Sequence, residues 1–105
     1  MDDRHEWCVA VDRGLVVQRV CGHADGLREV LPRSTGCEDC LRDGGRWVHL
    51  RACLVCGHVG CCDDSPGQHA HAHARTTAGH HLARSLEPGE AWAWCYTDEL
   101  YLHPC

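Results

Sequence analysis

The sequence predicts an α+β fold: a small, stapled domain in which one helix packs on a short antiparallel sheet. Three observations predict it. Short β-forming runs recur between turn signals, one Ala-rich run carries helix punctuation at both ends, and large apolar residues are scarce. The chain has 105 residues, enough for one core, yet it contains no Phe, Ile, Lys or Asn. Domains this poor in large apolar side chains are held together by disulfides or metal ions. Ten cysteines and ten histidines supply the means for either.

In chain order, Trp7 to Val11 and Leu15 to Val20 are β-rich runs separated by Asp12-Arg13-Gly14. They read as a hairpin within an N-terminal extension of residues 1–20. Ser34-Thr35-Gly36 forms a loop into Cys37, and Trp47 to Arg51 alternates around Val48 and Leu50 as a strand does. Ser65 as cap and Pro66 in the first turn begin a helix that runs to about Ala78, with Gly79 as its stop. His81 to Leu86, Ala91 to Tyr96 and Glu99 to Leu102 read as three further strands, the first two parted by Glu87-Pro88-Gly89.

The cysteine spacing chooses the staple. Cys37-x2-Cys40 and Cys53-x2-Cys56 are two knuckles with twelve residues between them. Zn²⁺ favours four soft or borderline ligands in a tetrahedron, and a CxxC turn delivers two thiolates to one ion. Cys61 and a His-bearing helix follow, with His69 and His73 at i and i+4 on one helical face. That face supplies two ligands to one ion or one ligand to each of two ions. The charged segment MDDRHEWCVAV has no apolar run of the secretory kind, and no stretch approaches the ~20 apolar residues of a membrane span. A reducing cytoplasmic setting is therefore expected, where clustered Cys and His mean metal rather than disulfides. Cys8, Cys62 and Cys105 have no partners at ligand spacing and read as buried or inert thiols, with Cys62 also competing for the place of Cys61. His71 falls off the ligand face, while His5, His49, His58 and His103 read as surface or packed histidines. A formal charge of −5 makes a poor phosphate binder and argues against nucleic acid.

The run Cys37-x2-Cys40, Trp47, Cys53-x2-Cys56-x4-Cys61, His69-x3-His73, His80 and Trp94-Cys95-Tyr96 resembles the ubiquitin-binding zinc finger, the UBP or BUZ type, found in deubiquitinases and in a cytoplasmic histone deacetylase. The resemblance covers roughly Cys21 to Tyr101 and leaves residues 1–20 outside. It implies a UBP-type domain over residues 21–105 with interleaved zinc sites, three in number and at least two. One ion would take Cys37, Cys40, Cys61 and His69, and a second Cys53, Cys56, His73 and His80. A third would take Cys21, His23, Cys95 and Asp98, the aspartate standing where cysteine-rich members carry another Cys. Aspartate is a harder but acceptable ligand. The interval from His73 to His80 is one residue longer than the family's usual one, which keeps His81 as a second candidate.

In the family the free C-terminal Gly-Gly of ubiquitin enters a narrow aromatic pocket. The resemblance places Trp47, Trp94, Tyr96 and Tyr101 around such a pocket, with Glu99 where a polar residue accepts from a glycine amide. Period-2 spacing puts Trp92, Trp94 and Tyr96 on one strand face, Trp92 reading as core. The family's carboxylate-binding Arg, two residues after Cys61, is Asp63 here. An acid repels a carboxylate, so ubiquitin itself is not the expected partner unless Arg46, Arg51 or Arg75 replaces that Arg. The Arg-, Ala-, Gly- and Asp-rich composition resembles a GC-rich bacterial coding sequence, so a stand-alone bacterial member is expected. The expected ligand is a protein or peptide terminus of Gly-Gly type. The alternatives are a cationic ligand caged by aromatics with Asp63 and Glu99, or a purely structural zinc domain. Catalysis is not expected, because four protein ligands close each site and no GxSxG or HExxH motif is present.

Overall fold

Strands of three to five residues, joined by turns, enclose a very small core. The computed structural model describes residues 7–9 and 21–105. One antiparallel sheet contains β1 (Trp7–Val9), β2 (Leu50–Cys53), β3 (Val59–Cys61), β4 (Leu82–Ser85), β5 (Ala93–Cys95) and β6 (Leu100–Pro104), in the spatial order β1-β6-β5-β4-β2-β3. Two short helices, α1 (Glu38–Asp43) and α2 (His69–Thr76), and a 3-10 turn at Gly22–Ala24 complete the described elements.

The sheet register sorts the side chains. Opposite Leu82 stands Cys95, and opposite Ala93 stands Leu102, so these residues share one face. That face packs with Leu100, Cys21, Ala24 and Leu54, and Trp7, Val9 and Leu27 close its edge. The largest fully buried side chains are Leu82, Leu102 and Val59, and every other member of that set is a cysteine. Burying each leucine contributes roughly 1.5–3 kcal/mol, far too little in total to offset the ordering of the chain. The sulfurs occupy the place a larger core would fill.

The second face carries Arg51, Gly60, Ala83, Trp94 and Tyr101, which the pairings Arg51↔Gly60, Ala83↔Trp94 and Trp94↔Tyr101 put on one side. Helix α2 lies over its β2–β3 half. A Cβ at Gly60 would stand 2.5 Å from the Ala70 nitrogen, so only glycine lets the helix come this close. The β5–β6 half of the face is left to its aromatic side chains.

Several expectations need correction. Helix α2 begins at His69, with Gln68 in the left-handed region at φ 47°, and not at Ser65-Pro66. Ser65 is engaged elsewhere: its hydroxyl accepts from the Val48 amide at 2.8 Å, so it is unavailable as a cap. Helix α1 was not expected, although Cys37 caps it through sulfur, Glu38 and Asp39 fill its first turn, and Gly44 ends it at φ 74°. Strand β3 was also unexpected, and the strand expected at Trp47–Arg51 is shifted to Leu50–Cys53. β6 runs on to Pro104 rather than ending at Leu102.

Cys8 and Cys105 are not inert thiols. They form a disulfide, with their Cα atoms 5.2 Å apart. The cause is topological: β1 pairs with β6, placing Cys8 opposite His103 and beside the segment that carries Cys105. The other half of the expected hairpin, Leu15 to Val20, lies outside the described residues.

Gly60→Ala should lower stability by about 1–3 kcal/mol, the cost of overpacking against backbone. Chemical denaturation of the metal-loaded protein at fixed zinc measures it, and a change below 0.5 kcal/mol would contradict this helix–sheet contact.

Candidate metal centres and binding groove

Three groups of four ligand atoms converge: Cys37, Cys40, Cys61 and His69; Cys53, Cys56, His73 and His80; Cys21, His23, Cys95 and Asp98. Within each group the atoms lie inside 4.8 Å of one another. The first joins α1, β3 and α2. The second joins the β2–β3 turn to α2 and the turn that follows it. The third joins the segment before β2 to the β5–β6 turn. Each staple therefore crosses elements far apart in sequence.

The separations test the fit to zinc. Bonds of about 2.3 Å to sulfur and 2.0–2.1 Å to nitrogen, arranged tetrahedrally, place S and N about 3.6 Å apart, two S about 3.8 Å apart and two N about 3.3 Å apart. In the first group, the Cys37, Cys40 and Cys61 sulfurs lie 3.3, 3.4 and 3.3 Å from one atom, His69 Nδ1. The Cys40 and Cys61 sulfurs are 4.0 Å apart. A single ring nitrogen forms one good hydrogen bond, so three sulfurs around it match a tetrahedron about a cation instead. In the second group, Cys53 to His80 and Cys56 to His73 are each 3.4 Å, and the two ring nitrogens are 3.3 Å apart. In the third, His23 Nδ1 lies 3.8 Å from Cys21, 3.5 Å from Cys95 and 3.0 Å from an Asp98 oxygen.

The surroundings favour metal-bound thiolates. Backbone amides of Cys40, Val55, His69 and Asp98 approach the sulfurs of Cys37, Cys53, Cys61 and Cys95 at 3.3–3.4 Å. Without a cation, burial followed by neighbouring hydrogen bonds and thiols pushes Cys21 and Cys40 up to about 12, and burial raises Cys53 as well. Burial, then the charges of His58 and His80, pushes His73 down to about 4, so its imidazole is neutral and ready to ligate. A divalent cation in such a cluster inverts the thiol preference, because a coordinating thiol is deprotonated.

Supporting residues orient the ligands. The Thr77 hydroxyl stands 3.5 Å from His73 Nδ1, leaving Nε2 toward the cluster. His58, expected only as a surface or packed histidine, is buried and stacks on His73 with ring centroids 4.1 Å apart. Its Nε2 lies 2.9 Å from an Asp39 oxygen, which links the second cluster to α1. The longer His73–His80 interval is taken up by a turn in which the His80 amide donates to Thr77 O and Gly79 adopts φ 80°. His81 turns away to Thr97, 2.7 Å from its hydroxyl, and its ring packs on His23. Cys62 is buried beside Ser65 and joins none of these groups.

On the open half of the second sheet face, Trp94 and Tyr101 pack with ring centroids 4.6 Å apart, and Trp92 meets Tyr101 edge-on at 5.5 Å. Trp92, expected in the core, is thus part of this cluster. Arg51 crosses it, with its guanidinium 5.0 Å from the Trp92 ring centre and Nη1 donating to the Tyr96 hydroxyl at 3.2 Å. His71, half-buried rather than free, stacks on Tyr96 at 4.8 Å and lies 3.6 Å from Asp63. Trp47 packs beside Gly36 and Leu41, next to α1. Glu99 is exposed in the β5–β6 turn at φ 54°, a conformation rarely taken by residues other than glycine. Of Arg46, Arg51 and Arg75, it is Arg51 that stands against Tyr96 and Trp92.

A small antiparallel sheet cross-braced by three four-ligand Cys/His clusters defines a zinc-finger domain. A family model described as the zinc finger in ubiquitin hydrolases and other proteins matches residues 37–105, and the chain belongs to that family. The solution NMR structure of a protein from Rhodopseudomonas palustris is similar, with 49% identity, a TM-score of 0.73, and coverage of 84% of this chain and 85% of the other. No curated protein matches. No helix among the described residues is long and apolar enough to cross a membrane.

Native mass spectrometry should find three zinc ions per chain. His80→Ala should remove one of them, whereas His81→Ala and Cys62→Ser should leave all three. A strong chelator should abolish the far-ultraviolet dichroism of the folded state in step with metal loss, since binding free energy here is folding free energy.

Proposed function

We propose that the three clusters bind Zn²⁺ through the twelve residues named above. We further propose that the aromatic face beside them recognises the C-terminal tail of a protein or peptide, as a binding module and not an enzyme, in the cytoplasm. The single observation that carries the reading is Arg51. Among the described residues it has no carboxylate partner, yet it is held in place by the Tyr96 hydroxyl and the Trp92 ring. A guanidinium fixed among aromatic rings and left without an anion suits a terminal carboxylate, which it binds through charge-assisted hydrogen bonds.

Arg51 answers the objection raised by Asp63. In this reading the charge lost at the loop after Cys61 is resupplied from β2, and Asp63 is directed toward His71. Trp94, Tyr96 and Tyr101 then flank the tail, and glycines at its end pass where a side chain would collide. Trp47 and Glu99 contribute at the rim. The relatives in ubiquitin hydrolases make a ubiquitin-like tail the nearest chemical analogue of the ligand. The cation-cage alternative is weaker, because a cationic ligand would meet Arg51 at like-charge cost.

Peptides ending in Gly-Gly should bind as free acids and lose at least tenfold, about 1.4 kcal/mol, when amidated. Arg51→Ala should abolish that difference with three zinc ions still bound. Equal affinity for acid and amide in the unmodified protein would overturn the assignment. Asp63→Arg should strengthen binding by a further charge-assisted contact, roughly 1–3 kcal/mol.

A further inference from the structure

Seven of the ten cysteines fall in the three clusters, and Cys62 is buried. The remaining two, Cys8 and Cys105, are bonded to each other, with Cys8 half-buried and Cys105 exposed. They are the pair most open to solvent thiols. Among the described residues β1 is three residues long, stands at the edge of the sheet and pairs with β6. Opposite each other in that ladder, Trp7 and Pro104 help to wall a cavity of about 240 Å³ on the core side, together with Leu54, Arg84 and Ala91.

We propose that Cys8 and Cys105 form a reversible thiol–disulfide exchange site, governed by a low-molecular-weight thiol and its disulfide, that decides whether β1 is clamped to β6. In reduction, the thiolate of the small thiol attacks the exposed Cys105 sulfur and the Cys8 thiolate leaves, taking up a proton. A second small thiolate attacks the small-molecule sulfur of the mixed disulfide, releasing the small disulfide and the Cys105 thiol. Two electrons pass from the two small thiols to the protein, and oxidation reverses each step.

The consequence is local. The cluster of Cys21, His23, Cys95 and Asp98 ties the segment at Cys21 to the β5–β6 turn. With metal there, the brace between that segment and β5 stays in place on reduction, so the change falls on β1 and not on β4 or β5. The zinc-cluster sulfurs are mostly buried and sequestered from the same exchange.

The test equilibrates the zinc-loaded full chain in glutathione buffers from reducing to oxidising, followed by alkylation, mass spectrometry and amide exchange. Two cysteines, Cys8 and Cys105, should switch between alkylated and protected while the zinc count stays constant. On reduction, β1 amides should exchange at least about tenfold faster while β4 and β5 are unchanged. Cys105→Ser should show the fast β1 exchange in every buffer and still hold its zinc. Three results would overturn the proposal: a pair that stays reduced throughout, β1 exchange that ignores the redox state, or zinc loss accompanying oxidation.

Discussion

Three cysteine sulfurs gathered around one imidazole nitrogen, at His69, are the arrangement on which the rest of the molecule depends. Uncompensated, that packing is unfavourable, because buried thiols crowd one another and one ring nitrogen cannot serve them all. A zinc ion turns the same crowding into four bonds. Since the ligands come from α1, β3 and α2, forming those bonds also closes the chain around the sheet. The other clusters repeat the device between different elements, and together they stand in for the large side chains this sequence lacks.

The remaining architecture follows from that substitution. Gly60 is small so that α2 can bring His69 and His73 down to the sheet. Ala70 is buried one turn before Ala74, so the side of α2 that adjoins His69 and His73 carries only small side chains between the two. Even capping is merged with coordination, since the sulfur of Cys37 both begins α1 and joins the first cluster. His58 and Asp39 connect the second cluster to α1, which carries the first knuckle, through a stacked ring and a short polar contact.

The three groups of converging side chains were legible in the sequence because coordination chemistry dictates residue type and, within a knuckle, spacing. Secondary structure was less legible for the same reason. Ser65 looks like a cap, yet a tertiary contact with Val48 claims its hydroxyl. Helix α1 hides inside a knuckle, and β3 is three residues long with a glycine at its centre. The Cys8–Cys105 bond was invisible because no local spacing encodes a contact across 97 residues. Likewise, nothing in the neighbourhood of Arg51 reveals that the register of β2 aims it at Tyr96.

Cys95 sits between Trp94 and Tyr96, its side chain buried among the ligand atoms of the third cluster while Trp94 packs on Tyr101 and Tyr96 on His71. Scaffold and aromatic surface are thus interleaved residue by residue along one strand. The side chains of the aromatic face can then be exchanged without touching a ligand atom of the three clusters. Changes on that face leave the coordination frame intact, which gives a domain with a minimal apolar core wide latitude in what its aromatic surface carries.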